Sequence, residues 1–128
     1  MEKSKSKSGQ VLSFLDALET AKNQVEFYAF EKDDAELAEI LCRIIATIYQ
    51  LPKNKVVSIG GEKKTAEEVA AVYSLIKHEN LEHIITTFCQ IKYRVKHINT
   101  YLRTALYNSV FESAAFWENL VQSTRGGS

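Results

Sequence analysis

Apolar positions recur along this chain mostly at helical intervals. Val11, Leu12, Leu15, Leu18 and Val25, with Phe14 and Ala21 beside them, predict a first helix over 10–28. Its apolar face also suits packing against another subunit. Asp33 and Glu36 have capping-box spacing, which predicts Asp33 as the cap of a second helix, with Asp34 adding negative charge at its positive end. Leu37, Ile40, Leu41, Ile44, Ile45 and Ile48 then form a stripe wider than a coiled-coil seam, as on a helix surrounded by others. Pro52 closes that helix near Leu51. Residues 55–59 read as one extended segment or a small hairpin arm before a Gly60-Gly61 turn. No partner strand stands out, so no sheet is expected. Thr65 and Glu68 form a second capping box, opening a short helix through Val69, Val72, Tyr73 and Ile76. Asn80 is expected to cap the next helix, with Leu81, Ile84, Ile85, Phe88 and Ile91 inward. After a break at 92–95, Val95, Ile98, Leu102, Ala105 and Leu106 define a further face ending near Asn108. Val110, Phe111, Ala114, Phe116, Trp117, Leu120 and Val121 belong to a last, aromatic-rich helix. The fold class expected is all-α, a compact bundle of five to six helices with one short extended segment.

Composition narrows this picture. A chain of 128 residues is the size of one domain, and five glycines and one proline are too few for a sandwich or barrel with a turn in every strand connection. Residues 1–9, in which 3–8 alternate Lys and Ser, read as a flexible linker or non-native remnant, 10–123 as the helical domain, and 124–128 as a disordered tail. The start lacks the apolar block of a signal peptide, and no run approaches the roughly 18 apolar residues of a membrane span. Cys42 and Cys89 lie on apolar helical faces without CxxC spacing. They read as two reduced core thiols of a cytoplasmic protein, with a disulfide as the minor alternative.

Candidate chemistry is sparse. His78 and His83 are five residues apart, whereas a zinc-protease helix needs histidines at i and i+4; His78 with Glu79 reads as a solvated turn. The chain contains no phosphate-binding glycine motif and no nucleophile signature, and the acid pairs Asp33/Asp34 and Glu67/Glu68 sit where helix starts already favour them. No enzyme, metal or cofactor is therefore expected. Charge placement is more informative. Lys+Arg and Asp+Glu balance at 16 each, yet no acidic residue occurs from His83 through Phe111. That stretch holds Lys92, Arg94, Lys96, Arg103, His97, Tyr93, Tyr101 and Tyr107. On a helix Lys96, Thr100, Arg103 and Tyr107 share a face. Three readings of it stay open: a solvated face, a nucleic-acid contact through phosphate neutralisation and stacking, or a dock for an acidic protein surface.

Several segments carry a resemblance. Val57-Ser58-Ile59-Gly60-Gly61, Ala66-Glu67-Glu68-Val69, Glu82-His83-Ile84 and above all the run from Val95 to Asn108 resemble the C-terminal domain of RepA_N-type plasmid replication initiators of Gram-positive bacteria. Weaker similarity reaches back to Asn23–Tyr28. That domain is in turn similar to the helical C-terminal domain of the primosome protein DnaD. The DnaD pattern Tyr-x-x-x-Ile-x-x-x-Trp is departed from here, with His97, Tyr101 and Ala105 at the corresponding places. The resemblance implies a non-catalytic adaptor that recruits host primase, or the replicative helicase and its loader, to a plasmid origin. Its contact face would be Lys92, Arg94, Lys96, Arg103 and Tyr107. The alternatives are a weak, non-specific DNA-binding domain acting at the origin, or a homo-oligomerisation module using Leu12, Leu15, Leu18 and the Phe116/Trp117 segment.

Overall fold

The computed structural model describes residues 14–113. Helix α1 runs over 14–24, and α2 is Lys32–Gln50. Strands β1 (Val56–Ile59) and β2 (Glu62–Thr65) follow, then α3 (Ala66–Tyr73), α4 (His78–Ile91) and α5 (Ile98–Glu112). One-turn 3-10 helices, Phe27–Ala29 and Lys92–Arg94, lead into α2 and out of α4. The described residues are thus mostly helical with a small two-stranded sheet. The expected linker, the tail, Leu12 and the Phe116/Trp117 segment lie outside them.

Helix α2 is central, packing against α3, α4 and α5. It buries Ala38, Leu41, Cys42, Ile45, Ala46 and Ile48, while Leu37, Ile40 and Ile44 flank them half-covered. This is the wide stripe read from the sequence, and Leu51 caps the helix just before Pro52 as expected. The start differs. Glu31 is the cap residue and makes no side-chain cap bond; its backbone carbonyl accepts from Asp34 and Ala35 N–H instead. Asp33 is therefore inside the first turn, where it and Asp34 still face the positive helix end.

The first helix ends earlier than position 28. Glu26 takes a left-handed backbone conformation (φ 53°), and the Val25 carbonyl accepts from His78 Nδ1 at 2.8 Å. Leu18, Ala21 and Val25 are buried in the chain's own core, and Leu15 is exposed.

The two-stranded antiparallel sheet corrects the expectation of none. Ile59 pairs with Glu62 and Val56 with Thr65. The partner strand Glu62-Lys63-Lys64-Thr65 has no apolar residue, so periodicity carries no sign of it. Gly60 (φ 58°) and Gly61 (φ 86°) both occupy the left-handed region that a two-residue hairpin turn of this kind requires. Val57 and Ile59 point into the core; Val56 and Ser58 face out.

Thr65 caps α3 as expected: Glu68 N–H donates to Thr65 Oγ1 at 3.2 Å, and Thr65 N–H to Glu68 Oε1 at 3.3 Å. Asn80 does not cap α4. The helix begins at His78, and Asn80 sits one turn in, where its Oδ1 accepts from Lys77 N–H at 2.7 Å. His78 is accordingly no solvated turn residue: it is half-buried and stacks on Phe30, ring centroids 4.0 Å apart. Nor does a helix end at Asn108. Helix α5 runs on to Glu112, and buried Asn80 donates from Nδ2 to the Ser109 carbonyl (3.1 Å), satisfying an acceptor near its C-terminal end. Its buried face is Leu102, Leu106, Ser109 and Val110, and Ile98, expected inward, is exposed at the helix start.

One ion pair joins α1 to α2. Lys22 Nζ lies 2.7 Å from Glu39 Oε1, and Arg43 Nε meets the other oxygen at 2.8 Å. The Lys22 hydrogen bond holds the Glu39 carboxyl below its ordinary range, and Lys22 is raised in turn, chiefly by the same bond. The sign follows from linkage. Stability from the depressed Glu39 is complete above the unfolded value of about 4.3 and is lost as pH falls through the lower folded value. Solvent screening keeps it to about 0.5–1 kcal/mol. Urea titrations of Glu39→Gln against the parent from pH 6 down to about pH 3 should show the gap between the two closing; a constant gap refutes this.

Candidate functional site

The chain leaves α2 at Pro52 through a tight turn. Lys55 N–H donates to the Pro52 carbonyl (3.0 Å), Ala66 N–H to the Lys55 carbonyl (2.7 Å) and Glu67 N–H to the Lys53 carbonyl (3.1 Å). The turn is thereby tied to the start of α3, which fixes where Lys55 stands. The hairpin then packs on α3 and α5. Two adjacent α5 residues hold it. Gly60 N–H donates to Thr104 Oγ1 at 3.0 Å, and Arg103 Nε donates to the Ser58 carbonyl at 3.1 Å. Tyr73 Oη in turn donates to the Arg103 carbonyl at 2.6 Å. The hairpin is seated on α5, and an open cleft of about 700 Å³ remains between α2, β1 and the first half of α5.

The cleft's chemistry is one-sided. Ile40, Ile44, Ile48, Leu51, Val56 and Val57 give it an aliphatic floor and wall. Arg43, Lys55 and Arg103 line it as cations, with Thr47, Ser58 and Asn99 as neutral polar groups, and among the described residues no carboxylate and no aromatic ring lines it. Arg43 is mostly exposed and is braced from behind by Glu39. Arg103 gives Nε to the Ser58 carbonyl, which orients the guanidinium; its terminal N–H groups have no hydrogen-bond partner among the described residues.

The five residues expected to form one contact face are divided. Lys92 and Arg94 are in the 3-10 turn and Lys96 in the loop after it, all exposed. Helix α5 begins only at Ile98, so Lys96 does not share its face with Thr100, Arg103 and Tyr107. Arg103 and Tyr107 are half-buried. Arg103 lies on the hairpin and lines the cleft, while Tyr107 packs on Phe111 and under Lys64 Nζ, 5.3 Å from the ring centroid. Arg43 and Lys55 were not singled out by the sequence. The one local signal was the Arg43/Thr47 pair, four residues apart along the edge of the Ile40/Ile44/Ile48 stripe.

The chain matches no protein-family model, no curated protein and no solved structure.

Other groups offer less chemistry. Five residues apart on α4, His78 and His83 point about 140° from each other. His78 is engaged by Val25 and Phe30, with Nε2 3.5 Å from Glu82, and His83 is exposed. Among the described residues no group of three or more His, Cys, Asp or Glu is placed to hold a metal. None of their helices is long and apolar enough to cross a membrane.

The cysteines divide as well. Cys42 is buried, and burial pushes its thiol up to about 12; Cys89, expected in the core, is exposed on α4. A thiol reagent at neutral pH should modify Cys89 within minutes and Cys42 at least about a hundredfold more slowly, since only the thiolate reacts. Equal rates in the native protein, read on Cys89→Ser and Cys42→Ser variants, refute this.

Proposed function

We propose that this chain is a non-catalytic adaptor domain that docks a protein partner. We further propose that it is a DnaD-like C-terminal domain of a RepA_N-type plasmid replication initiator, acting in the cytoplasm to bring host primase, or the helicase and its loader, to the origin. The observation that carries the protein-docking part is the cleft, where three cations stand over aliphatic side chains with no lining carboxylate among the described residues. The replication part rests on the resemblance of the Val95–Asn108 run and the segments before it. The mechanism is effective concentration. A domain linked flexibly to an origin-bound one presents its partner locally at roughly millimolar concentration, so a weak contact suffices.

The test is retention of purified host primase, helicase and loader by the immobilised 128-residue chain. One of the three should be retained, and less of it by Lys96→Glu/Arg103→Gln. Retention of none of them rejects the replication reading.

One observation favours a second reading, non-specific DNA binding. Tyr93 is 88% exposed between Lys92 and Arg94, a stacking surface flanked by cations. Binding of a labelled oligonucleotide should then fall steeply with salt, and no binding at about 50 mM salt rejects it.

A further inference from the structure

We propose that the cleft between α2, β1 and α5 is the docking groove for an acidic amphipathic helix of a protein partner. In this pose the helix seats aliphatic side chains on Ile40, Ile44 and Leu51 and sets carboxylates against Arg43, Lys55 and Arg103. The proposal deepens the adaptor reading and rests on it in taking the partner to be a protein.

Charge complementarity selects the occupant. Arg43 from α2, Lys55 from the turn after it and Arg103 from α5 line a cleft where no described lining residue is acidic, although the chain as a whole is neutral. Such an arrangement favours anionic groups and rejects cationic ones. The floor then selects among anions. Single-stranded nucleic acid is held by aromatic side chains on which bases stack, and no aromatic among the described residues lines this cleft. Aliphatic side chains of an amphipathic helix, by contrast, bury well on an aliphatic groove. The cleft volume of about 700 Å³ is that of a site that encloses side-chain-sized groups rather than a flat contact. Its walls are built to keep their shape. Ser58 braces Arg103, Glu39 braces Arg43, and the Lys55 backbone is tied to Pro52 and Ala66. Little ordering is then left to the moment of binding.

The experiment titrates the ¹⁵N-labelled 128-residue chain with a synthetic helix of about four turns, Leu on one face and Glu on the other. Amide shifts are expected at Thr47, Ser58, Asn99 and Arg103. Arg43→Glu/Lys55→Glu should weaken binding by at least about tenfold, and so should Gln for Glu in the peptide. Should the double variant melt early, Val56→Glu, at an exposed rim position, gives an independent reading. No shifts at about 1 mM peptide, a tighter-binding Lys-faced peptide, or displacement of the peptide by oligothymidylate overturns the proposal. So does concentration-dependent shifting of the same amides without peptide, which assigns the cleft to a second copy. Retention of a replication protein that ignores both sets of variants overturns the cleft and leaves the adaptor reading intact. Peptide binding at the cleft with no replication protein retained upholds the cleft and overturns the replication reading.

Discussion

Tyr73→Ala is expected to remove about 3–5 kcal/mol of folding stability, as large aromatic truncations in cores do. Tyr73 ends α3 with no exposed surface and lies in the core with Leu41, Leu102 and Leu106. Its hydroxyl donates to the Arg103 carbonyl, and burial pushes the phenol above its ordinary range, so it keeps its proton at neutral pH. The truncation empties a space that helices on several sides would have to collapse into, and such collapse is only partial. Against a total of about 5–15 kcal/mol, that loss can leave a large unfolded fraction. Tyr73→Phe separates the two contributions. It keeps the ring and deletes the donor, and should cost about 1 kcal/mol, the net worth of one hydrogen bond, because the Arg103 carbonyl keeps its intrahelical donor. Urea denaturation measures both. A Phe variant as damaging as the Ala variant would place the main contribution in the hydroxyl. An Ala variant within about 1 kcal/mol of the parent would refute the packing argument.

Gln24 carries the second large effect. Its amide Nε2 donates to the carbonyls of Tyr73 and Ile76, both at 2.8 Å, and its Oε1 accepts from Tyr49 Oη at 2.6 Å. One half-buried amide thus ties α1 to α2 and closes the turn between α3 and α4. Gln24→Leu fills similar space but leaves the Ile76 carbonyl and the Tyr49 phenol without this partner, while the Tyr73 carbonyl keeps only the Ile76 N–H (3.0 Å). Unpaired buried groups cost about 1–3 kcal/mol each, and partial access to water reduces the sum, so about 2–4 kcal/mol is expected. Gln24→Glu discriminates further. A carboxylate still accepts from Tyr49, but it confronts two carbonyls with no proton to give, so it should be no better than Leu at neutral pH. Thermal melts of both variants, with Tyr49→Phe as the partner in a double-mutant cycle, check this. Additive losses for Gln24 and Tyr49 would show that the contact is not coupled.

These two residues also show where reading from sequence stops. Tyr73 could be placed in the core from its position in the Val69–Ile76 stretch, but its hydrogen bond reaches 30 positions along the chain. Gln24 is a polar residue on an amphipathic helix, and nothing near it indicates that its partners lie 25, 49 and 52 positions away. The missed strand is of the same kind. A charged segment such as Glu62–Thr65 becomes a strand because Val56–Ile59 is brought beside it by two glycines, not because of its own pattern.

What the sequence alone determined was local: the apolar stripe of α2 and its stop at Pro52, the Thr65–Glu68 capping box, the Gly60-Gly61 turn and the acid-free stretch after Glu82. Each depends on atoms a few residues apart, so the chemistry of the residue types is enough. Tertiary structure decided the rest. Arg43, Lys55 and Arg103 become one cationic cleft only because Ser58 and Gly60 are pinned to α5, while Lys96 falls outside the helix whose face it was expected to share. Contacts between positions some 45 apart are set by how the elements pack together, and no local pattern of residues records that packing.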